Sequence, residues 1–127
     1  MQSIKVSEIM SRKLVTARED EKVAEVAEKM LHARVSSVVI MSDDNVAGIV
    51  TEKDFVKFFA LRVQHHAPIK LFMTRDVITI REDKSVNDAR NIMLSNNIRH
   101  LPVVNTEGKL VGMLTTRDII ESVLTLI

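Results

Sequence analysis

The sequence predicts a mixed α/β protein of the α+β type, built from two repeats that each run β-α-β-β-α. The stretch Gly48-Ile49-Val50-Thr51-Glu52-Lys53-Asp54 recurs sixty-four residues later as Gly112-Met113-Leu114-Thr115-Thr116-Arg117-Asp118. In each copy the apolar end of a strand runs into Thr-x-x-Asp, the polar pair that opens a helix. The duplication also extends over nearly the whole chain, and a repeat of this kind sets the architecture before any local reading does. Met10-Ser11-Arg12 answers Met73-Thr74-Arg75, Thr16 answers Thr79, Glu19-Asp20 answers Glu82-Asp83, and Met30-Leu31 answers Met93-Leu94, all sixty-three residues apart. The one extra residue falls in a turn, where insertions are best tolerated.

Each half, at about sixty residues, sits near the lower limit for a self-sufficient core, so the two halves are expected to pack face to face. With 46% apolar residues and four phenylalanines as the whole aromatic content, the core must be Val, Ile, Leu, Met and Ala. Eighteen basic and seventeen acidic residues give a net charge of +1, spread over both halves, which speaks against nucleic-acid binding. The absence of cysteine removes disulfides, thiolate nucleophiles and cysteine-bound metals, and fits a reducing compartment. No apolar run approaches the length of a membrane span, and the N-terminus lacks a signal-peptide core, so the expectation is a cytoplasmic protein with no membrane partner.

Taken in order, Val6 to Met10 fits one turn of helix and Leu14-Val15-Thr16 a short extended segment. Glu19 to Ala33 predicts a helix: Val23, Val26, Ala27, Met30 and Leu31 form one stripe opposite Glu21, Lys22, Glu25, Glu28 and Lys29. Ser37 to Met41 is a β-branched apolar run, read as a strand covered on both faces. Ser42 to Asn45 is a turn, Val46 to Val50 the return strand, and a helix opens at Thr51 whose Phe55, Val56, Phe58, Phe59 and Leu61 make it apolar on more than one side. Residues 63–72, with His65, His66 and Pro68, read as a linker between a first repeat at 1–62 and a second at 73–127. The second repeat follows suit: Val77 to Ile80 extended, Ser85 to Asn96 helical with a Ser85-x-x-Asp88 capping box, and Leu101 to Val104 a strand. A turn at 105–108, a return strand over 109–114 and a terminal apolar helix over 115–126 complete it.

These residues resemble a tandem pair of CBS domains, also called a Bateman module. The resemblance rests on the Ile9-Met10-Ser11 and Phe72-Met73-Thr74 openings, on Arg99-His100-Leu101-Pro102-Val103-Val104, and on the two Gly-φ-φ-Thr-x-x-Asp endings. It implies two repeats packed sheet to sheet with pseudo-twofold symmetry, and clefts that take adenine nucleotides or other adenosyl ligands. It further implies that Asp54 and Asp118 accept from ribose hydroxyls, and that Thr51 and Thr115, with the helix starts they cap, meet phosphate. Thr16 and Thr79 would lie beside the adenine, with Ser36 and Ser37 at the strand entry of the first half. Arg99 and His100 occupy that entry in the second half and reach phosphate.

The chemistry of these residue types agrees. A helix N-terminus offers unpaired N–H groups and the positive end of its dipole to an anion. A carboxylate can accept from both hydroxyls of a ribose, and an arginine grips phosphate with a planar fork. Read alone, the two Thr-x-x-Asp pairs are equally capping boxes. His32, His65 and His66 lack companions at metal-ligand spacing, the methionines fall on core stripes, and no catalytic set is visible.

The expectation is therefore not an enzyme but a regulatory module that senses an adenine nucleotide, AMP first, as ligand and not as cofactor. A homodimer through the helices at 52–62 and 116–127 is expected to bury their apolar surplus, and a further protein partner to carry the output. The sequence leaves open an assembly module without nucleotide, and a sensor of ATP, S-adenosylmethionine or nucleic acid. Because the first half has Ser36-Ser37 where the second has Arg99-His100, the two sites are expected to be unequal.

Overall fold

The computed structural model describes residues 3–124. They fall into two compact units: residues 15–77, and a split unit made of the residues up to Leu14 together with those from Ile78 on.

In the unit 15–77, strands β1 (Thr16–Arg18), β2 (Ser37–Ser42) and β3 (Asn45–Thr51) form a sheet in that order, with β1 parallel and β3 antiparallel to β2. Ser37 to Ile40 are buried in succession, as a central strand covered on both faces requires. Helix α2 (Val23–Ala33) buries Val23, Val26 and Met30 on its expected stripe. It starts four residues later than the pattern predicts. The Arg18 N–H donates to Glu21 Oε2 at 2.6 Å and the Lys22 N–H to Glu25 Oε1 at 3.0 Å, so local carboxylates hold 19–22 in a turn and place the helix cap at Lys22. After β3, helix α3 (Glu52–Ala60) follows without a break.

The expected linker is part of this unit. The Val23 N–H donates to the Ala67 carbonyl and the Ala24 N–H to that of His65, while Ile69, in a 3-10 turn over Ile69–Leu71, is fully buried and donates to Glu21. Met73 is also buried there.

The split unit holds α1 (Val6–Ile9), β4 (Ile80–Arg81), α4 (Val86–Asn96), β5 (His100–Val104), β6 (Leu110–Thr115) and α5 (Thr116–Leu124), with sheet order β4-β5-β6. Ser85 caps α4 by accepting from the Asp88 N–H at 3.0 Å, one half of the expected box. Strand β4 is shorter and later than the extended segment predicted at 77–80. In the other unit the Val39 N–H donates to the Val15 carbonyl. The repeat places Pro102 where Val39 stands, and proline has no N–H to give Ile78. Pairing therefore begins only at Ile80 with Val103. The predicted terminal helix is seen to Leu124; residues 125–127 lie outside the described residues.

The compact units are thus offset from the sequence repeat. Val6 and Met10, from the start of the chain, are buried in the core of the second repeat's body with Ile80, Leu101 and Leu114. Met73, from the start of the second repeat, is buried in the core of the first's. Both openings dock alike: Ser11 and Met113 exchange backbone hydrogen bonds at 2.9 Å, as do Thr74 and Ile49 at 3.0 and 3.1 Å.

The residue beside each dock is glycine for a steric reason. A Cβ at Gly112 would lie 2.6 Å from Met10 Sδ and 2.9 Å from the Ser11 carbonyl. One at Gly48 would overlap Met73 Sδ and sit 2.9 Å from the Thr74 carbonyl. Gly48→Ala and Gly112→Ala are each expected to destabilise the fold by about 1–3 kcal/mol, the usual cost of overpacking, because backbone as well as side chain must give way. Chemical denaturation of the two variants against the unmodified chain measures it.

Candidate functional site

Each unit brings one set of the expected residues together. Ser37, the buried first residue of β2, is the cross-strand partner of Thr51, the last residue of β3. His100, the half-buried first residue of β5, stands in the same register to Thr115. The residue before each pair closes the helix start: the Ser36 carbonyl accepts from the Glu52 N–H and the Arg99 carbonyl from the Thr116 N–H, both at 3.1 Å. A strand entry and a helix N-terminus are thereby fastened side by side, once in each unit.

The threonine and aspartate of each ending bind one another. The Thr51 N–H donates to Asp54 Oδ2 at 2.8 Å and the Thr51 hydroxyl to the same oxygen at 3.2 Å. In the second copy the distances are 2.8 and 3.0 Å, and the Asp118 N–H donates back to Thr115 Oγ1 at 3.2 Å. Both are capping boxes, and both aspartates are half-buried. The arrangement leaves a resource unspent. One carboxylate oxygen of each aspartate carries the cap, and Oδ1 takes no bond from the described residues. The threonine hydroxyls are committed to the carboxylates and the Glu52 and Thr116 N–H groups to the strand-entry carbonyls, so these helix starts keep fewer donors for an anion than a bare N-terminus would.

Thr16 lies exposed on β1, paired in register with Val39, and Thr79 is half-buried just ahead of β4. Here the units differ in ways that pattern reading does not reveal. Lys29 Nζ donates to the Thr16 carbonyl at 3.0 Å while pairing with Glu21 at 2.7 Å. The repeat puts Ile92 at the equivalent place, so Thr79 has no such neighbour. Read along the helix, Lys29 belongs to the wet face of α2, and no periodicity marks its reach to β1. Ile78 is a second such residue. With Pro102 unable to donate, its half-buried carbonyl takes no hydrogen bond from the described residues. The signal was present as Pro102 opposite Val39 in the repeat.

Arg99 is exposed and its guanidinium has no hydrogen bond or ion pair among the described residues. Among those residues no three His, Asp or Glu gather in a way that could hold a metal ion, and no helix is long and apolar enough to cross a membrane.

The CBS domain family profile matches residues 6–61 and again residues 69–125. The chain belongs to the CBS domain family. It is 38% identical over 121 residues to a 17.7 kDa protein of Acidianus ambivalens, covering 94% of this chain and 73% of that one. Further curated relatives are longer, and the chain spans between 19% and 63% of their length.

Among solved structures, the CBS domain pair of protein MJ0100 in complex with 5'-methylthioadenosine and S-adenosyl-L-methionine superposes with a TM-score of 0.90 at 28% identity. That match covers 99% of this chain and 100% of the other. A CBS domain protein of Pyrobaculum aerophilum complexed with AMP gives 0.86 at 30% identity, covering 96% and 99%.

The caps of the two CBS repeats have a measurable value of their own. Thr51→Ala and Thr115→Ala are each expected to cost about 1 kcal/mol of stability, within the range for losing an N-cap, with the fold retained. Denaturant midpoints with unchanged slopes would show it.

Proposed function

We propose that this CBS pair is a cytoplasmic regulatory module, not a catalyst, that binds an adenine nucleotide at its Thr-x-x-Asp helix starts, AMP before other adenosyl compounds. The observation that carries the proposal is the twice-built half-buried aspartate whose second oxygen is unspent. A carboxylate held by its cap in one orientation, with an acceptor left over, is suited to a ribose diol. Three further observations support the reading. The helix start beside each aspartate suits a phosphate. The unpaired Ile78 carbonyl can accept from an exocyclic amine. The two structural relatives are complexed with AMP, and with 5'-methylthioadenosine and S-adenosyl-L-methionine.

Asp54 and Asp118 are assigned to ribose, and the helix starts at Thr51 and Thr115 to phosphate, with Arg99 and His100 adding positive charge in the split unit. Thr16 and Thr79 lie on the adenine side, with Ser36 and Ser37 at the first strand entry. The sites are unequal. Ser36-Ser37 brings no cation to the first strand entry, and the Thr16 carbonyl is already taken by Lys29, whereas Arg99 and His100 stand at the second.

A thermal shift series tests this. A ligand that binds only the folded chain, present at about a hundred times its Kd, adds ~2.7 kcal/mol and should raise the melting midpoint by several degrees. AMP is expected to give such a shift. Asp54→Asn with Asp118→Asn should abolish it, because the amide oxygen can keep the cap while an N–H group replaces the spare acceptor. No shift from AMP, adenosine, ATP, 5'-methylthioadenosine or S-adenosylmethionine would defeat the proposal.

We further propose a homodimer through the helices at 52–62 and 116–127, since Val56 and Phe59 on α3 and Ile120 and Val123 on α5 are large, apolar and exposed. Sedimentation at micromolar concentration should find a dimer, and Phe59→Glu or Ile120→Glu should convert it to monomer.

A further inference from the structure

The stretch from Phe55 to Arg75 contains no aspartate or glutamate. It carries Lys57, Arg62, Lys70 and Arg75, two histidines, and all four phenylalanines of the chain. In a protein whose net charge is only +1, that leaves the remainder acidic, so this is a local field and not a general property. The same stretch exposes apolar surface: Leu61 is 65% exposed, Leu71 62% and Phe72 37%.

These features converge on one groove of about 530 Å³ in the unit 15–77, lined by Lys57, Phe58, Leu61, Arg62, Leu71 and Phe72 among others. Its floor is firm. Phe58 is buried and its ring packs edge-on to Phe55 at 5.2 Å and tilted against Phe72 at 5.7 Å. The Val63 N–H donates to the Phe58 carbonyl and the Arg62 N–H to that of Phe59, which fix the exit from α3. No acidic side chain lines the groove, and neither Lys57 nor Arg62 has an ion pair among the described residues. The groove occupies a different flank of α3 from the proposed dimer face: Lys57 and Leu61 share one flank at i, i+4, whereas Val56, Phe59 and Ala60 share the other at i, i+3, i+4.

We propose that this groove docks an acidic amphipathic helix of a partner protein. Apolar residues at i, i+3 or i+4 and i+7 of the partner enter against Leu61, Leu71 and Phe72, and its carboxylates meet Lys57 and Arg62 at the rim, the helix-in-groove mode of recognition. The basic rim at Lys57 and Arg62 beside the apolar floor of Leu61, Leu71 and Phe72 matches a helix with one acidic and one apolar face. A second copy of the same groove is disfavoured because like charges would face each other. The proposal rests on the reading that this chain acts through another protein, and it does not depend on which adenosyl ligand binds.

The test uses the full chain without nucleotide and a labelled eighteen-residue helical peptide, leucine on one face and glutamate on the other, followed by fluorescence anisotropy. Controls are the same peptide with lysine for glutamate, and with serine for leucine. The acidic amphipathic peptide should bind in the micromolar range. Lys57→Glu with Arg62→Glu should weaken it at least tenfold and Leu71→Ser severalfold, with circular dichroism confirming that these surface variants stay folded. Neither control peptide should bind.

The proposal is overturned if the acidic peptide fails to bind, if the lysine peptide binds equally, or if the variants bind unchanged. It is likewise overturned if phosphatidylglycerol vesicles capture the chain through the same residues, or if the charge-reversed variant loses its homodimer, which would make the occupant a membrane or a second copy. Failure here leaves the nucleotide shift series untouched, and failure of that series leaves the groove standing.

Discussion

Backbone contact at Gly48 and Gly112 is the constraint from which the rest of the architecture follows. A methionine and the carbonyl beside it occupy the space where any side chain would stand, in both units, and reciprocal backbone bonds lock the approach. The opening of one repeat thereby becomes part of the core of the other repeat's body. Neither repeat can be cut out along its sequence boundary without removing buried residues, Val6 and Met10 from one core or Ile69 and Met73 from the other. Two sixty-residue halves that would each be marginal alone are made interdependent by the path of the chain. The capped helix starts of α3 and α5 follow within a few residues of these docks. Their position is set by the same contact that excludes a Cβ.

The capping boxes show how structural and binding roles share one group. A carboxylate has lone pairs to spare, and a cap uses those of one oxygen. Asp54 and Asp118 are oriented by the bonds from Thr51 and Thr115, so a ligand accepted by the other oxygen meets a group whose rotamer freedom is already lost. The bland reading of Thr-x-x-Asp as a cap is correct, and it is also the reason the binding reading is physically sound.

Much of this was legible in the sequence because the signals were local. The run from Ser37 to Ile40 marked a strand covered on both faces, Thr51 and Thr115 marked helix starts, and the duplication gave the element order. What was lost involved competition or distance. The start of α2 was misplaced because Glu19, Asp20 and Glu21 fit a helix face as well as they fit the turn that Glu21 closes. The packing of residues 63–72 is hidden in the sequence because Ile69 bonds to Glu21, nearly fifty residues away, while Pro68 and Lys70 beside it carry linker signals. The late start of β4 was readable after all, since a proline at the register of Val39 removes a ladder bond. Near the helix starts, the capping aspartates are legible as a local motif, whereas Lys29 and the Ile78 carbonyl depend on which backbone groups a neighbouring strand leaves free.

Helix α3 joins these findings physically. Its first turn is the capped start at Thr51 and Asp54, and its last turn and exit form the basic apolar groove at Lys57, Leu61 and Arg62. Nine residues at 1.5 Å each make it about 13 Å long, short enough to move as one rigid rod. On the function proposed above, a ligand that draws the first turn toward it would also displace the far end. The exit bonds from Val63 and Arg62 must either follow or strain. The ligand can bias the groove only by its differential affinity for the two positions of the rod, and docking at the groove must alter ligand affinity by the same factor. Lys29 ties α2 to the Thr16 carbonyl of the edge strand β1 in the first repeat. Ile92 provides no such tie in the second. The asymmetry between the repeats thus lies in a side-chain tie present in one and absent from the other, on the same fold and with the same capping chemistry.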